Sequence, residues 1–171
     1  SPIIDGFAEF TIDIKQGTFV TNEFVVDTSQ PNQKFIIPNP YVDTSTLKVQ
    51  VRDTLTSSSR KTYSQIDNIV GISTHSETFL IQEIQDEKYE LLFGDGVLGK
   101  RLSNGNVISS TYIVTDGVGG NGVSNFSFSG KLVDNDGGLI TSGISDVITN
   151  ERSSNGAEVE SIDTIRNLST R

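Results

Sequence analysis

His75 is the chain's single histidine, and there is no cysteine. A Ser-His-Asp relay, a thiol nucleophile or a zinc-thiolate site therefore has one imidazole to work with, or nothing. His75 lies in Ser73-Thr74-His75-Ser76-Glu77, a polar run that selects no nucleophile and no orienting acid. We read it as a surface loop. The paired acids Asp86-Glu87 and Glu158/Glu160 carry no sign of surroundings that would drive their pKa values apart for acid/base work. Gly94-Asp95-Gly96-Val97-Leu98-Gly99-Lys100-Arg101 nearly spells a phosphate loop. Arg101, however, stands where a hydroxyl must meet magnesium, and Asp95 would put negative charge into the cradle. Gly117 to Gly122 has the spacing of a dinucleotide fingerprint, yet Val123 to Phe128 alternates like a strand and shows no helix signal. Asp134, Asn135 and Asp136 cluster oxygens as a calcium loop does, without the third acid and the later bidentate Glu. We read them as a solvated turn. No catalytic set, cofactor or metal is expected.

Composition narrows the class further. The net charge is −9, and no Lys/Arg cluster offers a local exception, so the chain repels phosphate backbones and no nucleic-acid partner is expected. No apolar run approaches the roughly 20 residues of a spanning helix, so no membrane partner is expected. Leu, Ile, Val and Phe number 52 of 171 residues, enough for a lean core. Val, Ile and Thr number 50 while Ala occurs twice, which favours pleated strands over helices. There is no Met, even at position 1, and we expect an internal piece of a longer protein.

The elements that must position these residues are legible as period-2 runs between turn residues. Strands are expected at 7–14, 17–20, 23–27, 34–37, 47–52, 78–84, 88–93, 107–115 and 124–128. Two more, at 132–134 and 139–148, flank the Asp134–Gly138 turn. Such short, closely spaced strands predict an all-β to α+β fold: a mainly antiparallel sandwich or barrel-like domain. At the end, Val159, Ile162 and Ile165 recur at helical spacing behind Glu158 and Glu160, predicting a short C-terminal amphipathic helix over 157–168. We expect a β-rich domain over 1–150, with subdivisions near 54–60 and 130, and a loop and helix over 151–171 leading toward a following domain.

Several motifs in one order carry a resemblance. Tyr89-Glu90-Leu91-Leu92-Phe93-Gly94-Asp95-Gly96 leads to Gly99-Lys100, then Asn104-Gly105, then Tyr112 to Gly117 and Asn121-Gly122. Upstream stand Phe24 to Asp27, Phe35-Ile36-Ile37-Pro38 and Phe79 to Glu83, and near the end Asn155-Gly156-Ala157 precedes Glu160-Ser161-Ile162 and Ile165-Arg166. This order resembles the baseplate wedge proteins of contractile-tailed (myovirus) bacteriophages, in the baseplate J-like family. Asn155 departs from it, standing where the family has Gly.

The resemblance implies a structural, non-enzymatic protein of the virion tail baseplate, assembled in the host bacterial cytoplasm. It would hold neighbouring wedge proteins, and copies of itself, while the plate assembles and rearranges during contraction. The residues themselves read Phe93-Gly94-Asp95-Gly96 as a hairpin, since Gly accepts positive φ and Asp95 can bond its own backbone, and Gly99 and Gly105 join them as structural turn residues. The apolar stripe of Val159, Ile162 and Ile165 is the candidate partner contact. The alternative from composition is a receptor- or glycan-binding module of a tail fibre, which the absence of Trp disfavours.

Overall fold

The computed structural model describes residues 10–134, 136–141 and 147–157. Seven strands carry the fold: β1 (Thr18–Val25), β2 (Phe35–Ile37), β3 (Val42–Arg52), β4 (Lys61–Gln65), β5 (Thr78–Ile84), β6 (Lys88–Phe93) and β7 (Val107–Val114). Two short ones follow, β8 (Leu132–Val133) and β9 (Leu139–Ile140). The chain divides into two compact units after Thr115. The expected helix, with Val159, Ile162 and Ile165, lies outside the described residues.

Several expectations are corrected. The runs 17–20 and 23–27 form one strand, because Thr21 and Asn22 continue the ladder opposite Thr111 and Ser110. Thr21 and Thr111 also join hydroxyls across it at 2.9 Å. The 124–128 run forms no strand, and Phe10 to Ile14 lie in no sheet. Conversely β4, Lys-Thr-Tyr-Ser-Gln, was not foreseen, since it has one apolar residue, Tyr63, buried among exposed polar neighbours.

The seven strands make one nearly closed, barrel-like sheet in the order β1-β7-β3-β4-β5-β6-β2. Every neighbouring pair is antiparallel except β4–β5. Strand β7 lies between β1 and β3 and is buried on both faces, with Ile108 and Tyr112 on one and Val107 and Ile113 on the other. Its apolar residues sit at the two ends, Val107-Ile108 and Tyr112-Ile113-Val114, with the small buried Ser109 and Ser110 between them.

The two edge strands, β1 and β2, are joined by side chains in place of a ladder. Phe24 and Phe35 meet edge to face with centroids 5.9 Å apart. The Gln33 carboxamide donates to the Val25 carbonyl and accepts from the Asp27 amide, both at 2.8 Å, as a partner strand's backbone would. Further along, Asn22 donates to the Tyr112 hydroxyl, which donates to Asn39 Oδ1 at 2.7 Å. Burial pushes the Tyr112 phenol up, which keeps it a donor.

Phe93 is the hub of the aromatic core. Its ring meets Phe35 and Tyr63 at 5.7 Å and Phe79 at 6.3 Å, touching β2, β4 and β5 together. Through Phe35 the cluster reaches Phe24 on β1, so aromatic packing runs from one edge of the sheet to the other.

The parallel β4–β5 pair forces a crossover, because parallel neighbours cannot be joined by a tight turn. Residues 66–77 make it without a helix. That explains the apolar Ile66, Ile69 and Ile72 in a loop: they border a cavity of about 200 Å³ with Leu80, Leu92 and Leu98.

In the second unit β8 and β9 pair as a hairpin across the Asp134–Gly138 turn. The Asp134 carboxylate accepts from the amides of Asp136 and Gly138 at 3.0 and 2.6 Å, so one of its oxygens is committed to its own backbone. None of the unit's described residues is buried.

Phe93→Ala should cost about 3 kcal/mol, the lower end of the range for a buried Phe, because the ring is partly buried but shared by three strands. Gln33→Ala should cost about 1 kcal/mol, the net worth of its replaceable hydrogen bonds. Urea denaturation of both variants checks the size and the order.

Candidate functional site

Five of the residues singled out by sequence, Phe93, Gly94, Asp95, Gly96 and Gly99, lie together where β6 ends. Phe93 is anchored in the core, and the chain must then turn at once. Gly94 lies against Gly99 so closely that a Cβ on Gly94 would sit 2.5 Å from the Gly99 carbonyl oxygen and 2.6 Å from its Cα. Only glycine permits that approach. Gly96 and Gly99 take φ of +93° and +83°, the left-handed region. The Gly96 amide donates to the Gly99 carbonyl at 3.1 Å, closing the loop, and Gly94 and Arg101 meet as one isolated parallel bridge. The loop is thus a closed ring of backbone and not an extended two-stranded hairpin.

Asp95 caps this ring. Its Oδ1 accepts from the amides of Val97 at 2.8 Å and Leu98 at 2.9 Å. Those bonds, Leu98's first and Val97's next, hold its carboxyl below the ordinary value of 3.8.

The ring is then stitched to the crossover. The Gly99 amide donates to Ser73 O at 3.1 Å and the Lys100 amide to Ser76 O at 2.9 Å. Lys100 Nζ reaches Glu77 Oε1 at 2.7 Å, and Lys61 lies 3.9 Å from the same oxygen. The direct bond raises the Lys100 pKa and lowers that of Glu77, two partners in agreement. The backbone amides from Gly96 to Lys100 all have partners within the protein, so they offer no cradle to phosphate.

A second turn locks the start of β7 to the end of β1. Gly105, at φ +81°, donates to Val26 O at 2.8 Å, and Val26 donates back to Asn106 O at 2.8 Å. Asn106 Oδ1 accepts from the Ser103 amide at 2.8 Å, and Asn104 Oδ1 accepts from Thr28 at 3.0 Å. The Asn-Gly step of the sequence is therefore a clamp.

Other candidates are scattered. His75 is exposed on the crossover with Nδ1 2.9 Å from the Thr74 hydroxyl. Asp86 and Glu87 occupy the β5–β6 turn at φ +63° and +57°. Gly117–Gly120 form a single 3₁₀ turn, and the extended backbone of Asn121 follows it directly. Asn155 takes φ +67°, a conformation Asn tolerates best after Gly. Among the described residues no three His, Asp or Glu side chains gather as a metal site would require.

What sequence reasoning missed is the apolar rim of the stitched loops. Val70 is 86% exposed and Val97 70%, with Ile69 and Leu98 also exposed beside the cavity of Ile66, Ile72, Leu80 and Leu92. The signal was Ile66-Asp67-Asn68-Ile69-Val70-Gly71-Ile72, too apolar for an ordinary loop. Chemically the region can pack against apolar groups. No protein-family model matches the chain, and no curated protein matches it.

The two kinds of glycine should respond differently. Gly94→Val should abolish folding or lower Tm the most, because the obstacle is backbone. Gly105→Ala should cost about 1 kcal/mol, since its left-handed φ is strained but nothing lies within 4 Å of the new Cβ. Thermal melts give the ranking. Asp95 has a depressed pKa, so its stabilisation is complete above the unfolded carboxylate value and is lost as pH falls through its lower folded value. Asp95→Asn should therefore flatten the loss of stability below about pH 4. Denaturation midpoints between pH 2 and 5 measure that slope.

Proposed function

We propose that this chain is a structural component of a phage tail baseplate wedge, holding neighbouring baseplate proteins during assembly and contraction. The observation that carries the reading is that the ordered motifs of the resemblance coincide with positions whose residue type the backbone demands. Gly94 is glycine because Gly99 leaves no room for a Cβ. Gly96, Gly99 and Gly105 lie in the left-handed region, and Asp95 caps the ring between them. Motifs of this sort specify a rigid scaffold with defined loop surfaces.

The mechanism is mechanical. Stitching the ring to the crossover by backbone bonds and the Lys100–Glu77 pair fixes both loops without spending the apolar side chains on their rim. Val70 and Val97 are then presented on a preorganised surface, where a neighbour can bury them at little ordering cost. Burying each fully would contribute about 1.5–3 kcal/mol.

Serum against the protein should ring the baseplate when intact tails are viewed by negative-stain electron microscopy. Label at fibre tips would instead support receptor binding. Val70→Asp and Val97→Asp should leave Tm within a few degrees of the parent and reduce incorporation into tails. Full incorporation of both would remove this surface from the contacts.

A further inference from the structure

We propose that residues 153–156 are a releasable strap, held to the glycine loop 117–123 by hydrogen bonds and able to peel off while the seven-stranded sheet stays folded. The inference does not depend on the baseplate reading.

The attachment is a short imitation of a strand pair. The Gly122 amide donates to Ser153 O at 2.8 Å, and the Ser153 amide donates to Val123 O at 2.9 Å. The Ser153 hydroxyl donates to Gly120 O at 2.6 Å and accepts from the Val123 amide at 2.8 Å. Where this ladder ends, the Asn121 carboxamide takes over. Its Nδ2 donates to Gly156 O and its Oδ1 accepts from the Gly156 amide, both at 2.8 Å. One side chain thus plays the part of an opposing backbone.

Seating requires glycine at 156. A Cβ there would collide with the Gly117 carbonyl oxygen and lie 2.8 Å from Asn121 Oδ1. Asn155 supplies the left-handed residue that brings Gly156 into place.

What the strap lacks is apolar burial. None of its residues is buried, and neither is any residue of the loop it lies on. Exposed hydrogen bonds without buried apolar contacts define the segments that open locally, at far lower free energy than global unfolding. Strand β7, buried on both faces, defines the opposite extreme. The bonds of the strap depend on one another: losing the Asn121 pair frees Gly156, and the Ser153 ladder is then held at one end only. They should therefore open as one unit.

Native-state hydrogen exchange on the whole chain tests this. The amides of Gly122, Val123, Ser153 and Gly156 should exchange together and faster than those of Ile108 to Tyr112. Asn121→Ala should speed all four by about tenfold, the factor for one or two net hydrogen bonds, and leave β7 unchanged. Gly156→Ala should do the same by denying the strap its seat. The proposal is overturned if the four amides exchange only at the rate of β7. It is equally overturned if they respond singly to Asn121→Ala, or if both variants lower β7 protection to the same extent.

Discussion

The structure depends on one junction, the passage from the Phe93 ring to the Gly94–Gly99 backbone contact. Phe93 must stay in the core because it is the ring on which β2, β4 and β5 converge. The next residue must leave the core at once and pass against Gly99 with no side chain between. Dispersion on one side and backbone sterics on the other are both short-range, so neither can be relaxed by a small shift elsewhere. The loops, the crossover and the edge of the barrel are arranged around that fixed point.

A nearly closed sheet still has two edges, and edges invite pairing with other chains. Here they are occupied from within. Gln33 imitates a backbone, Phe24 and Phe35 share a face, and the Asn22–Tyr112–Asn39 relay satisfies polar groups that the gap would otherwise strand. The same device recurs in the second unit, where Asn121 stands in for a strand opposite Gly156. Carboxamides suit this role because they set N–H donors and a carbonyl acceptor side by side in one plane, as a peptide group does.

The apolar rim has a topological origin. A parallel pair between β4 and β5 needs a crossover, and a crossover without a helix must use loop residues to cover the sheet. Ile66 and Ile72 do that covering, while Val70 and Val97 remain outside.

Much was legible before folding. β5 and β6 have the bounds their alternation predicts, because cross-strand pairing rewards the same period the residues display. The turn glycines were legible too, since left-handed backbone is a local property. β4 was not, because one buried Tyr63 among polar residues has no period to detect. The run at 124–128 alternates yet forms no strand, because alternation supplies a face but no partner to pair with. By itself the sequence determined the β class and the places where the backbone turns. Only the tertiary structure decided which strands are neighbours, why Gly94 cannot be replaced and where apolar side chains stay exposed. Those depend on contacts between residues far apart in the chain, and no local pattern encodes a distance it does not span.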